Sequence, residues 1–495
     1  MSIQVYQESY TEEDFTKYQE RIREQLDVLR DLIRMPGFGG DKYRFSGAID
    51  YYLTDKKSSV AAINKDLIVQ AGDPRIKLAL NKYHIDLEFS PVQTKGSPLE
   101  SLYQELIEVQ ELIDESAAHL NSQAIPIGIL PTLKRDDICA DNMTEIYRNK
   151  ALHQGLEKLR GKNIKIHIDG NDPLAFNCND VSIEGANASL HFYLKTPVKR
   201  FAKTWNALQL ITPIVMGVST NSPIMFGHRL WQETRVALFK NATNGATQKD
   251  GLWQKPPRTN YGQGWLRKGP WELFSENVAL YDPVLPVVYP KDAADSIRAG
   301  EVPTLDELRL HQSTVTTWNR AIFDTEMNGH FQIESRCLPA GPSNLDMIAN
   351  LAFMAGLTIG LRDQINYLIP AFPFNLAEDN FYRAAEHGLD ATILWPDTSG
   401  SQPREYRLVD LASQLLPTAE RGLSILGIES DEILKYLDII QRRIDKRMTG
   451  AIWQVETMAH YFKSCDLDQA QQRMLDDYIL EYRMNRPVSE WERPR

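Results

Sequence analysis

His330 to Leu338 reads H-F-Q-I-E-S-R-C-L, and its alternation decides the fold. Phe331, Ile333 and Cys337 fall on one side; Gln332, Glu334 and Arg336 fall on the other. That is the period of a strand with one apolar and one charged face. Ser189 to Lys195 repeats it, with Leu190, Phe192 and Leu194 against His191 and Tyr193, and so does His84 to Phe89, with His84, Asp86 and Glu88 against Ile85, Leu87 and Phe89. Tyr43 to Leu53, Ala79 to Phe89 and Asn163 to Ile168 (N-I-K-I-H-I) read as further β segments. One-sided strands of this kind belong to antiparallel sheets.

Helices surround these strands. Thr11 to Met35 carries Phe15, Tyr18, Ile22, Leu26, Leu29 and Ile33 at helical spacing, with Thr11 and Asp14 as a capping box and Pro36-Gly37 as the stop. A second helix starts at Ser97 as N-cap, with Pro98 first and Glu100 third, and shows the stripe Leu99, Leu102, Leu106, Val109 and Ile113. From Asn344 onward the pattern is helical, with polar loops near Thr398 to Arg404; Gly251 to Trp271 reads as a long loop. No β-α-β rhythm appears, so the expected class is α+β with an antiparallel sheet rather than a doubly wound parallel one. The expected organisation is an N-terminal helix over 1–40, a sheet-and-helix domain over 41–400, and a helical region of the same unit over 401–495.

With 42% hydrophobic and 24% charged residues in 495, the chain is neither disordered nor fibrous. Its net charge of −11 disfavours nucleic acid as a partner. Cys139, Cys178, Cys337 and Cys465 are widely separated, which excludes a disulfide framework and a zinc ribbon and fits a reducing, cytoplasmic setting. Met1 to Tyr10 is polar and acidic, unlike a signal peptide. Ala207 to Val218, interrupted by Pro213, and Leu351 to Leu361 are too short to span a bilayer, so no membrane partner is expected. The helical surfaces of the last third leave a homodimer open.

Common catalytic motifs are absent: no H-E-x-x-H, G-x-S-x-G or Walker A occurs, and Gly262-Gln263-Gly264 with Gly269 is only a loose glycine cluster. The charged strand faces are the informative feature. They read either as solvated faces of a sheet or as the walls of a cleft. In a cleft, carboxylates and histidines hold Mg²⁺, and an arginine clamps a carboxylate or phosphate.

Several segments carry a family resemblance. Asn221-Ser222-Pro223 through Phe226-Gly227, Arg229-Leu-Trp231, Glu233-Thr234-Arg235, and Ile333-Glu334-Ser335-Arg336 followed by Leu338 to Pro342 are similar to signature stretches of the type 2 glutamate–cysteine ligases, which are carboxylate–amine ligases. Gly128 to Thr132, Asn142-Met-Thr144, Glu184 to Asn187, Pro257-Arg258, Trp318-Asn-Arg320, His387 to Asp390, and Thr449-Gly-Ala with Trp453-Gln454 follow in the family's order. The resemblance implies a glutamine-synthetase-like funnel, a curved and mostly antiparallel sheet with helices outside. It implies that ATP phosphorylates a substrate carboxylate and that an amine then attacks the acyl phosphate. It also implies ATP and Mg²⁺ as cofactors, with Mn²⁺ as the alternative metal, and a small-molecule amino acid or carboxylate as substrate. On matching positions it implies Glu334 and Arg336 as catalytic residues, and Asp86, Glu88, His191 and Glu334 as metal ligands. It implies Arg235 and Arg258 as binders of substrate or nucleotide. The competing local readings are a Glu334–Arg336 strand salt bridge, a buried Glu233–Arg235 pair, an exposed loop arginine at 258, and a sheet histidine at 191.

The chain departs from the family pattern where metal is bound. Gly47-Ala48-Ile49-Asp50-Tyr51 stands for Gly-Ala-Glu-x-Glu, so both glutamate positions are lost and Asp50, between them, faces the other way in a regular strand. His84-Ile85-Asp86 stands for Asn-x-Glu, and His191-Phe192-Tyr193 for Gln-x-His. His311-Gln312-Ser313-Thr314 departs from His-Asn-Gly-Thr. Tyr51 and Tyr193 read as packing groups in space the cage has vacated. The expectation is a ligase-family protein with impaired catalysis. One alternative is a catalytically inactive relative that binds amino acid, peptide or nucleotide, or regulates a partner. Another is repurposed chemistry at His84, Asp86, Glu88 and His191 with a softer metal, Zn²⁺ or Mn²⁺.

Overall fold

The structure, a computed structural model, describes residues 5–7, 9–160, 164–179, 181–243, 249–250, 253–254, 256–397 and 402–493. The alternating segments assemble as one sheet from β1 (Arg44–Asp55), β2 (Ile76–Leu78), β3 (His84–Glu88), β4 (Ser189–Lys195), β5 (Asn319–Asp324) and β6 (His330–Pro339), in the order β5-β6-β4-β1-β3-β2. Val92–Gln93 and Ser122–Ile125 pair with β1 to complete eight strands. Every pairing is antiparallel, and the sheet curls into a half-barrel. Ile164–Ile168 pairs with Leu174–Cys178 in a separate hairpin.

One face of the sheet is the core face. Ile49, Tyr51, Ile85, Leu87, Leu190, Phe192, Leu194 and Ile333 are all fully buried there. The helices include α1 (Glu12–Arg34), α2 (Pro98–His119), α3 (Tyr147–Arg160), α4 (Phe201–Gly217), α5 (Thr234–Thr243), α6 (Asn344–Arg362), α7 (Leu408–Leu426) and α8 (Ser430–Lys446); Ala151 and Leu156 of α3 belong to a second, smaller cluster with Tyr18 and Ile22 of α1. Thr11 caps α1 with Asp14 in the expected capping box. Ser97 does not cap α2: its hydroxyl donates to the Glu429 carboxylate at 3.0 Å, and the Glu432 side chain of α8 accepts the Glu100 N–H instead. A carboxylate from a neighbouring helix thus does the capping that local sequence assigned to serine.

α6 extends over 19 residues, longer than the apolar run within it. Among the described residues it is the one helix long and apolar enough to cross a membrane, yet 94% of its apolar window is buried inside the molecule. It is a core helix, packed against α7, α4 and α8. Parts of some expected segments (Met1 to Gln4, Glu8, Asn163, Gly251, Leu252, Lys255 and 398–401) lie outside the described residues. Within the stretch expected as a loop, Thr259–Asn260 pairs in parallel with Thr316–Thr317.

Glycine sets the α6–α7 approach. A Cβ at Gly422 would lie 1.9 Å from the Gly356 carbonyl oxygen, and one at Gly356 would lie 2.5 Å from the Ala419 carbonyl oxygen. Gly422→Ala is therefore expected to lower unfolding free energy by ~1–3 kcal/mol, the usual cost of overpacking. Gly264→Ala, where a Cβ meets nothing within 4 Å, should stay near wild type. Chemical denaturation of both variants checks this.

Candidate active site

The register fixes which side chains meet on the face away from the core. Asp50 stands directly opposite Asp86, and Ala48 opposite both Glu88 and His191. Tyr193 stands opposite Glu334, and Glu334 opposite Arg320. A cavity of about 440 Å³ opens over this face. Its charged lining includes Asp50, Asp86, Arg148, Arg258, Arg320 and Arg336. α3 supplies Arg148 and the apolar Leu152 and Leu156, and α5 supplies Phe239.

Asp50 is held in place. One of its oxygens accepts the Ser189 N–H at 2.8 Å, and His191 Nε2 lies 3.9 Å from the same oxygen. Burial raises the Asp86 carboxyl well above the usual range, and the charge of Asp50 and a hydrogen bond with it add to the effect. Asp86 thus favours keeping its proton beside the charge of Asp50. Burial pulls the His84 imidazole down to about 4, against the pull of Asp50, so His84 is neutral near pH 7.

Glu334 lies beneath the cavity rather than in its wall, with a side chain only 1% exposed. Its Oε2 accepts from Arg320 Nε at 2.6 Å; its Oε1 lies 3.2 Å from His191 Nδ1 and 4.0 Å from Arg336 Nε. Burial opposes its ionisation, but Arg320, His191 and Arg336 outweigh that and hold the carboxyl far below the usual range. Among the described residues Arg148 pairs with no acid. It donates to Ser313 Oγ at 3.2 Å, and burial followed by the charges of Arg320 and Arg336 depresses its pKa. Arg258 donates to the Thr314 carbonyl at 3.2 Å and to the Asp282 carbonyl, and burial pushes it down to about 10.

The expected residues separate accordingly. Asp86, His191, Arg258 and Arg336 come together around the cavity. Arg258 is not an exposed loop arginine; backbone carbonyls hold it inside. Glu88 is exposed at the end of β3 and outside the cavity lining. Glu334 is spent on Arg320 and His191. Arg235 does not reach the cavity: it is fully buried and bonded to Glu233 at 2.6 Å, Ser189 Oγ at 2.6 Å and the Cys337 carbonyl at 2.8 Å. Tyr51 lies on the core face and does not fill the cleft floor. Tyr193 lies on the site face, its hydroxyl 3.4 Å from His191 Nδ1, but outside the cavity wall.

The implied metal set of Asp86, Glu88, His191 and Glu334 does not fit a cation. Glu88 is exposed outside the cavity lining, Glu334 is neutralised by guanidinium, and no group of three or more His, Cys, Asp or Glu among the described residues is arranged to hold a metal. Three site residues had been missed. Asp50 was misjudged because the motif was aligned on its lost glutamates; the apolar parity of Ile49, Tyr51 and Leu53 already points it to the polar face. Arg320 lay in a segment read only as family support. Arg148 carried no local signal, since α3 is brought over the sheet by tertiary packing.

No family model matches this chain. Two curated relatives do, both named putative glutamate–cysteine ligase 2-1. The one from Frankia alni is 32% identical over 118 residues, 23% of this chain and 31% of the relative. The one from Frankia casuarinae is 29% identical over 185 residues, 37% of this chain and 44% of the relative. The chain thus spans less than half the length of these relatives. Among solved structures, a glutamate–cysteine ligase from Francisella tularensis in complex with AMP is similar at 11% identity and a TM-score of 0.48, covering 92% of this chain and 97% of that one. A bifunctional glutathione synthetase from Pasteurella multocida is similar at 11% identity and a TM-score of 0.46, covering 94% and 55%. The curated relatives support a likeness of this chain to the carboxylate–amine ligases of the glutamate–cysteine ligase type.

The aspartate pair has a consequence for stability. Asp86 keeps its proton in the folded state at pH values where the unfolded chain has lost it. Stability therefore falls as pH rises from the ordinary carboxyl range through the raised value. Asp86→Asn should remove this slope. Its urea midpoint is expected to exceed that of wild type at pH 8, with the two converging as pH approaches 4.

Proposed function

We propose that this chain is an ATP-dependent carboxylate–amine ligase of the glutamate–cysteine type, which activates a substrate carboxylate as an acyl phosphate for amide formation. The observation that carries this reading is the group of four arginines, Arg148, Arg258, Arg320 and Arg336, that lines one cavity together with the acids Asp50, Asp86, Glu184 and Asp282. Confined guanidinium forks match phosphate and carboxylate oxygens. A triphosphate and a carboxylate can lie together there only because these arginines offset their repulsion.

In this reading a carboxylate oxygen attacks the terminal phosphorus and the bond to the bridging oxygen breaks, releasing ADP. The amine nitrogen then attacks the acyl carbon, the carbon–oxygen bond to phosphate breaks, and inorganic phosphate leaves. The proton from nitrogen passes to the Asp50 carboxylate, which faces the cavity beside Asp86. A second reading, a relative that binds nucleotide without turnover, is favoured by the commitment of Glu334 to Arg320 and His191.

Calorimetric titration with ATP, alone and with Mg²⁺ or Mn²⁺, tests both readings when followed by assay of ADP release with glutamate and cysteine. Binding with ADP release supports the ligase. Binding without ADP release across a panel of carboxylates and amines supports the second reading. No binding at millimolar ATP sinks both. Arg148→Met is expected to weaken ATP binding by roughly tenfold or more, the equivalent of a charge-assisted contact of ~1.5–3 kcal/mol, with an unfolding midpoint close to wild type.

A further inference from the structure

We infer that Arg235 is a positioning residue: one buried guanidinium sets both the aspartate pair and the arginine side of the cavity. The inference rests on the proposed anion site, since that site gives the positioning its purpose. Arg235 and Glu233 are both fully buried. Glu233 is itself fastened, accepting the Asn221 N–H at 3.0 Å and the Ser222 hydroxyl at 2.6 Å. Arg235 Nε donates to Glu233, which leaves the two terminal nitrogens of the fork free to reach different strands.

Each of those nitrogens ends one bond away from a cavity residue. Nη1 donates to Ser189 Oγ at 2.6 Å, and the Ser189 N–H donates to Asp50 at 2.8 Å. Nη2 donates to the Cys337 carbonyl at 2.8 Å, within the register shift between Ser335 and Leu338. Arg336, which lines the cavity, lies within that irregularity. Bulges of this kind re-aim side chains near sites, and here the carbonyl after Arg336 is tied to the group that orients Asp50. The fork thus couples the start of β4 to the bulge of β6 and holds Asp50 and Arg336 in a fixed relation. A lysine keeps the charge beside Glu233 but has no fork to serve both strands.

Arg235→Lys is compared with Arg443→Lys, a second fully buried arginine that pairs with Asp346 at 2.8 Å in the helical core, outside the cavity lining. Crystal structures of both variants read the positioning directly. Arg235→Lys is expected to displace Arg336 and free Asp50 from Ser189, whereas Arg443→Lys leaves both in place. ATP titration below both unfolding midpoints is expected to show a loss of roughly tenfold or more in Arg235→Lys, as for other residues that orient a site from behind, and a change within about twofold in Arg443→Lys. Unmoved Asp50 and Arg336 in Arg235→Lys would overturn the inference. So would an equal loss of binding in Arg443→Lys, which would mark general destabilisation. If wild type binds no ATP, the proposed function fails, and the crystal structures still decide the positioning.

Discussion

Burial of Ile49, Tyr51 and Leu53 against the helices is the constraint on which the site depends. Side chains alternate along a strand, so anchoring these three on the core face sends Asp50 to the opposite one. The same parity, passed through antiparallel registers, sets Asp86 against Asp50 and places Glu334 between Tyr193 and Arg320. Sliding β1 by one residue would expose the aromatic and aliphatic set and bury the carboxylate. At about 1.5–3 kcal/mol for each large apolar side chain exposed, this excludes the alternative register.

The chemistry of the cavity follows from charges that the sheet cannot separate. Glu334 is ionised because Arg320, His191 and Arg336 surround it, while Asp86 resists ionisation because it is buried beside Asp50. Two carboxyls of one sheet are thus shifted in opposite directions, and the difference lies in their neighbours rather than in the residues themselves. Arg148, brought over the sheet by α3, adds positive charge beside Arg320 and Arg336.

Behind this arrangement stands the Glu233–Arg235 pair. A fully buried ion pair contributes little net stability, yet breaking it by removing one partner typically costs ~3–5 kcal/mol. Its value lies in specificity of geometry, since five buried hydrogen bonds, three to the guanidinium and two to the carboxylate, fix three stretches of chain at once. The segment Glu233-Thr234-Arg235 is one of those that carry the family resemblance in the sequence, and in the structure it lies in the core behind the cavity.

Much of the fold was legible from local pattern. The alternation of Ser189–Lys195 and His330–Pro339, the stripe of α2 and the capping box of α1 depend on nearest neighbours along the chain, where strand and helix periods act directly. The acid Asp86, the histidine His191 and the arginines Arg258 and Arg336 were legible as well, because strand parity and motif marked them. Tertiary structure alone decided that Glu88 stands outside the cavity and that Glu334 is consumed by Arg320. It also decided that Arg235 works from within the core and that Arg148 arrives from a helix with no strand partner. Those outcomes depend on which distant segments meet and on the burial and charge each meeting imposes, and neither is written in the spacing of residues along one element.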